Sequence, residues 1–174
     1  MTLLEQTATR METNMNETET HPQDSGGTLR IYPPVLAGGL LLGALLLHLL
    51  GGHHHQIVRL HQLLGLLLVA AGAGLSSYAA ALFGGRKTTK DPYGHPDAFV
   101  TDAPYTFTRN PMYVGLATIL LGFAVFFGSS AMLIAPLLFF LVIDRMLIPQ
   151  EEETMERIFG EQYLDYKRRV RRWV

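Results

Sequence analysis

Long apolar runs alternate along this chain with short polar stretches. No Asp, Glu, Lys or Arg occurs between Arg30 and Arg59, between Arg59 and Arg86, or between Arg109 and Asp144. A helix that crosses a bilayer needs about 20 mainly apolar residues, so these runs predict membrane helices. The run from Asn110 to Ile143 is too long for one crossing: as a single helix it would extend about 50 Å against a hydrocarbon core of about 30 Å. Gly128-Ser129-Ser130 is the natural turn within it, and Pro136 is placed to kink the helix that follows. The pattern predicts an all-α, polytopic membrane protein with four spans, at about 32–50, 62–84, 111–127 and 131–148.

Both ends are polar, in different ways. Residues 1–30 are rich in Thr, Glu, Asn and Gln and hold almost nothing that could build a core, so a disordered tail is expected there and one membrane domain over 31–174. Near the other end Met155, Phe159, Tyr163, Tyr166, Val170 and Trp173 recur every three or four residues. That spacing predicts an amphipathic surface helix over about 150–173, with Lys167, Arg168, Arg169, Arg171 and Arg172 beside or opposite its apolar face. Glu152 lies three residues before Met155, on the apolar line, and is expected to face the protein, whereas Glu151 and Glu153 diverge by about 100° to either side. Acidic residues after Pro149 also simply suit a helix N-terminus.

Charge and composition narrow the functions. The 174 residues are 48% hydrophobic with a net charge of −1, which gives no reason to expect nucleic acid as a partner. The absence of cysteine excludes thiolate chemistry and disulfides. His53-His54-His55 are adjacent and have no carboxylate near them in sequence, so no metal site is expected. Asp144 and Arg145 fall in the last turns of the fourth span, where charge is costly unless paired or wet. As neighbours they point about 100° apart, so each is expected to find its partner elsewhere. With four spans, every Lys and Arg except Arg59 lies on one side, and the positive-inside rule makes that side the cytoplasm.

The candidate chemistry gathers at Arg109-Asn110-Pro111-Met112-Tyr113-Val114-Gly115. Asn110 suits a helix N-cap and Pro111 the first helical position, so a helix starts here and runs into apolar sequence. Its free N–H groups offer a site for an anion, with Arg109 just outside. The polar segment from Arg86 to Thr108, punctuated by Pro92, Gly94, Pro96 and Pro104, leads into this start as an irregular loop. Ala70-Ala71-Gly72-Ala73-Gly74 supplies small residues for close helix packing, the default reading for that stretch.

The RNPMYVG element at Arg109 to Gly115, followed by a helical hairpin and the segment from Pro149 to Trp173, resembles the isoprenylcysteine carboxyl methyltransferases and the related phospholipid N-methyltransferases. The resemblance covers roughly Leu75 to Trp173. It implies an integral membrane enzyme that uses S-adenosylmethionine on its cytoplasmic face, in a bacterial plasma membrane, with Arg109 and Glu152 as catalytic residues. It further implies cofactor contacts from Tyr105, Asn110, Pro111, Met112, Tyr113, Gly115, Glu151 and Glu152, and from Gly72 and Gly74, which lie about where the phospholipid enzymes have a Gly-x-Gly motif. Ala103-Pro104-Tyr105 stands where bacterial relatives usually have Gly-Pro-Tyr, and Asn110 replaces the histidine of the eukaryotic prenylcysteine enzymes.

The expected function is methyl transfer to a lipophilic or membrane-embedded acceptor, with carboxylate O-methylation of an isoprenylcysteine-like molecule in the lead. A carboxylate acceptor could be held by Arg109 through two hydrogen bonds, whereas an amine or thiol needs a base, for which Glu152 is the candidate. The alternatives are a phospholipid or amine N-methyltransferase, a nicotinamide-dependent membrane reductase, and a non-catalytic docking protein.

Overall fold

The computed structural model describes residues 31–51, 59–85 and 99–174. The tail expected over 1–30, the His53-His54-His55 turn and most of the polar segment after Arg86 lie outside the described residues. Within them the chain is helical: α1 (Pro33–Leu50), α2 (Arg59–Gly85), α3 (Pro111–Phe127), α4 (Ser130–Phe159) and α5 (Glu161–Arg169). The regular extended pairing among the described residues is one isolated parallel bridge between Thr108 and Arg171.

Three helices are long and apolar enough to cross a membrane, at Pro33–Leu50, Leu60–Phe83 and Ser130–Phe159. The 17-residue α3 is apolar but shorter. The chain is thus a membrane protein. Leucines on α1 and α2, among them Leu42, Leu46, Leu49, Leu63, Leu66 and Leu67, stand exposed on the outside. In water so much exposed apolar surface would be a liability, and in a bilayer it is the lipid-facing surface.

Helices α2 and α3 pack antiparallel, close enough to exclude side chains between their backbones. A Cβ on Gly72 would lie 2.5 Å from the carbonyl oxygen of Gly115, and one on Gly115 would lie 2.6 Å from that of Gly72. Seven residues away along each helix, Gly65 and Gly122 repeat the contact. Small residues at such spacing let backbones approach, and van der Waals contact then replaces the hydrophobic effect that lipid cannot supply. Above the glycines, Ser76 donates its hydroxyl to the carbonyl of Met112 at 3.2 Å, which fixes the α3 start against α2. On the other flank α1 and α4 pack on α3 through Ala37, Ala44, Leu120, Ala124, Met132, Ala135 and Phe139.

The turn at Gly128-Ser129 falls where the sequence places it. Gly128 adopts φ +59° and ends α3 as a left-handed cap, its N–H reaching the carbonyls of Ala124 and Val125. Helix α4 then differs from a plain 131–148 span. It opens as a 3-10 turn (Ser130–Leu133), widens to a π turn at Ile143–Leu147, and continues without a break to Phe159. Pro149 has no N–H to give to the carbonyl of Arg145, and the wide turn accommodates that missing bond: Ile148 N–H reaches back to Ile143 instead. Pro136 lies inside the regular part of α4, at Ile134–Val142.

The surface helix expected over 150–173 is two helices and a strap. Its first turns belong to α4. Gly160 breaks the run with φ +52° and ψ −129°, a conformation suited to glycine alone. After α5 the backbone becomes extended at Val170. Tyr163 and Tyr166 are buried, as the apolar line requires, while Arg172 and Trp173 lie beyond the helix end.

Candidate active site

The start of α3 sits under the C-terminal strap. Asn110 occupies the N-cap position and its carbonyl accepts from Tyr113 and Val114 N–H at 3.0 Å each, so the helix begins where the sequence predicts. Its side chain does not cap. The Asn110 amide Nδ2 donates instead to the carbonyl of Arg172 at 2.9 Å, because the strap brings that acceptor within reach. Thr108 Oγ1 donates to the same carbonyl at 3.1 Å, and the Arg109 backbone N–H donates to Arg171 at 2.9 Å.

Arg109 and Glu152, distant in sequence, meet. Arg109 Nη2 lies 2.7 Å from Glu152 Oε1, with side chains only 10% and 9% exposed. Arg109 Nη1 donates to the carbonyls of Val170 at 2.7 Å and Lys167 at 3.2 Å. Arg172 grips the same carboxylate with Nε at 3.1 Å from Oε1 and Nη2 at 2.8 Å from Oε2, and Lys167 stands 3.6 Å from Oε2. Burial opposes the charge on Glu152, yet the hydrogen bonds and positive charges of Arg172 and Arg109 outweigh it and hold the carboxyl below its ordinary range. Glu152 points inward as its position on the apolar line predicts. It is an ion-pair hub, and a carboxylate so firmly ionised and so fully bonded is a poor proton acceptor.

Glu151 is its opposite. It lies in the turns of α4 beyond Pro149, past the apolar stretch, and accepts a hydrogen bond from the Tyr113 hydroxyl. Burial raises its pKa to about 7, against the lowering by Tyr113 and with a further rise from the adjacent Glu152 charge. Two neighbouring carboxyls are thus driven apart in proton affinity by their surroundings.

Tyr105 is buried against Ala79, Val100, Leu82, Phe83 and Met112. Its carbonyl accepts from the Tyr166 hydroxyl at 2.7 Å, but its own buried hydroxyl has no partner among the described residues, and the buried Nε of Arg109 has none either. Phe99, Phe159, Tyr163 and Tyr166 form a ring cluster with centroids 5.1 to 6.0 Å apart.

The structure therefore brings Arg109, Asn110, Tyr113, Glu151 and Glu152 into one bonded assembly joining the α3 start, the end of α4 and the strap. Gly72 and Gly115 do not join it; each is filled by the backbone of the other, and Gly74 has open space around its Cα. Sequence reasoning missed Arg172, Lys167 and Trp173. One signal was available: Asp144 needed a partner, and only a segment with cations to spare could supply it. Asp144 accepts from Trp173 Nε1 at 2.8 Å and from Arg172 Nη1 at 3.3 Å. It also lies 3.4 Å from the exposed Arg145, so the two neighbours touch after all while the main partners come from the strap.

A family model described as phospholipid methyltransferase matches residues 60–162, from the start of α2 to just past the end of α4. The chain belongs to the phospholipid methyltransferase family. Membership implies membrane methyltransferase activity, and the match holds both elements of the site, the RNPMYVG helix start and the Glu151-Glu152 pair. An uncharacterised protein of Haemophilus influenzae is similar over 63 residues at 40% identity, which covers all of that protein and 36% of this chain. No solved structure matches.

Proposed function

We propose that the chain is an S-adenosylmethionine-dependent methyltransferase whose acceptor is an amine on a lipid or other lipophilic molecule, reached from the bilayer. The observation that carries this reading is that two buried donors, Arg109 Nε–H and Tyr105 O–H, in the segment that leads into a helix start, have no partner among the described residues. Such groups are costly to leave unbonded, so each suits a ligand that brings acceptor atoms. The carboxylate of the cofactor fits Arg109 and the positive end of α3. Tyr105, Arg109 and the residues from Asn110 to Tyr113 would hold it. The cofactor supplies a methyl group on a sulfonium.

The chain's own residues do the rest. Tyr113 and Glu151 share a hydrogen bond, and a carboxyl with a pKa of about 7 is matched to taking the proton that an ammonium must lose before its nitrogen can attack. Arg109 has Nη1 committed to two strap carbonyls and Nη2 to Glu152, and its Nε–H is the donor this reading gives to the cofactor, so the guanidinium is taken up before an acceptor carboxylate arrives. That commitment favours N-methylation over O-methylation of an isoprenylcysteine-like acceptor. The aromatic cluster around Phe99 excludes water, and the helix start orients the reactants.

The same reading takes residues 31–174 as one domain, with α3 as a fourth, short span: 17 residues extend about 25 Å, at the lower limit for a crossing. It puts both termini and the site at the cytoplasmic face, where all Lys and Arg but Arg59 then lie. Helix α5 rests at that interface, in a bacterial plasma membrane. Titration of the purified protein in nanodiscs tests the reading. S-adenosylmethionine at 100 times its Kd is expected to stabilise the fold by about 2.7 kcal/mol, and a reduced nicotinamide not at all. The reverse result would make the protein a reductase, and no shift with either would leave a docking protein.

A further inference from the structure

The strap after α5 is tied down more thoroughly than a chain segment of its length requires. Its backbone is held by Thr108, Arg109 and Asn110. Its side chains reach the other way, into α4: Arg172 bonds Glu152 twice and Asp144 once, and Trp173 bonds Asp144 while its ring lies 4.6 Å from that of Phe140. Both side chains lie outside the residues that the family match covers. Asp144 is a carboxylate at the foot of a long uncharged run, an expensive place for one. Two of its three side-chain contacts come from this strap, and the third is an arginine that is 78% exposed.

Arg172 is where these ties converge. Glu152 has two oxygens; Arg109 takes one, and Arg172 spans both. Without Arg172, Oε2 keeps only Lys167 at 3.6 Å, the carboxylate can rotate away from Arg109 Nη2, and the guanidinium is left to the carbonyls of Lys167 and Val170, the latter at the start of the loosened strap. A planar guanidinium can hold a carboxylate through two parallel bonds while its third nitrogen reaches Asp144; a lysine cannot do both.

We propose that Arg172, anchored by Asp144 and Trp173, is a positioning residue of the methyltransferase site: by clamping Glu152 it sets the orientation of Arg109 and holds the strap on Asn110. The proposal rests on the cofactor reading above. The test uses the full chain in nanodiscs, with S-adenosylmethionine as the probe and with Trp173, the only tryptophan, as reporter of the strap. Arg172→Ala is expected to weaken cofactor binding about tenfold, with Arg172→Lys recovering part of the loss. Asp144→Asn, which touches neither Arg109 nor Glu152, is expected to weaken it in the same direction by a smaller factor. Acrylamide quenching of Trp173 is expected to rise in Arg172→Ala and Asp144→Asn without cofactor, at unchanged helical circular dichroism. Wild-type affinity in Arg172→Ala overturns the proposal, as does a loss that merely tracks the unfolded fraction and is not eased by lysine. Failure of the wild type to bind the cofactor overturns the functional reading, and this proposal with it; failure confined to the variants' expected defects overturns this proposal alone.

Discussion

Glu152 Oε1 lies 2.7 Å from Arg109 Nη2, so the foot of α4 and the approach to α3 are joined by a nearly buried ion pair. The pair is not an isolated bridge, because Arg172 and Lys167 share the same carboxylate. Replacing Glu152 with Gln strands their charges together in a confined space. The expected loss is about 3 kcal/mol of stability, seen as a lower unfolding midpoint in denaturant. The reciprocal Arg109→Ala leaves one carboxylate with two remaining cations and is expected to cost less. Equal losses would show that Arg109 alone neutralises Glu152.

Glu151 predicts a pH dependence of the opposite sign to its neighbour. Its carboxyl has a higher proton affinity in the folded chain, with a pKa of about 7, than in the unfolded chain, so between about 4.5 and 7 the folded state holds the extra proton. Stability from this group is fully present below about 4.5 and is lost as the pH rises through 7, by about 3 kcal/mol in all. Glu151→Gln, which removes the charge, is therefore expected to match the wild type near pH 4 and to exceed it near pH 8 in thermal midpoint. The same variant is expected to abolish methyl transfer. In the wild type the rate rises with pH through about 7, and Tyr113→Phe, by deleting the bond that lowers this pKa, moves the rise to higher pH.

The two glycines of Gly72-x-Gly74 are expected to behave differently. Alanine at 72 puts a methyl carbon 2.5 Å from the Gly115 carbonyl oxygen, a clash with backbone that only separation of α2 and α3 relieves, at about 1–3 kcal/mol. Alanine at 74 meets nothing within 4 Å. Gly74→Ala is expected to leave stability and cofactor affinity at wild-type values, and a large loss of affinity there would restore the motif to the cofactor.

Gly160 carries the bend between α4 and α5 at φ +52° and ψ −129°, with open space around it. Alanine there is strained by its backbone alone, by about 1–3 kcal/mol. The variant is expected to loosen α5 and the strap together, raising amide exchange over residues 161–173 while α2 and α3 keep their protection.

What the sequence made legible was whatever depended on composition along one helix. The apolar runs, the Gly128 turn, the Asn110-Pro111 start and the inward turn of Glu152 all follow from periodicity and from the cap chemistry of single residues. Contacts between segments far apart in the chain were legible only as unpaired demands. Asp144 announced a missing partner without naming Arg172 or Trp173, because those residues sit past the point where Val170 turns extended and the helical phase no longer applies. The strap also redirected Asn110, whose amide serves a carbonyl that no local pattern could reveal. Gly160, read as one more position on a continuous helix, broke it by backbone geometry that periodicity does not register.

The wide turn at Ile143–Leu147 has a consequence for how this chain tolerates length changes. One residue more than an α-helical turn is wound into it, so everything after it is rotated relative to a plain helix by about the angle that one residue subtends. Removing a single residue between 143 and 147 would let α4 relax to uniform winding with Glu151 and Glu152 still facing Tyr113 and Arg109, because the lost residue and the lost wide turn cancel. Removing one from the regular turns at Ile134–Val142 would instead swing both carboxyls about 100° around the axis. A deletion in the regular turns, which leaves every reacting side chain present, would thus disarm the site through phase alone, while the wide turn can lose a residue without that cost.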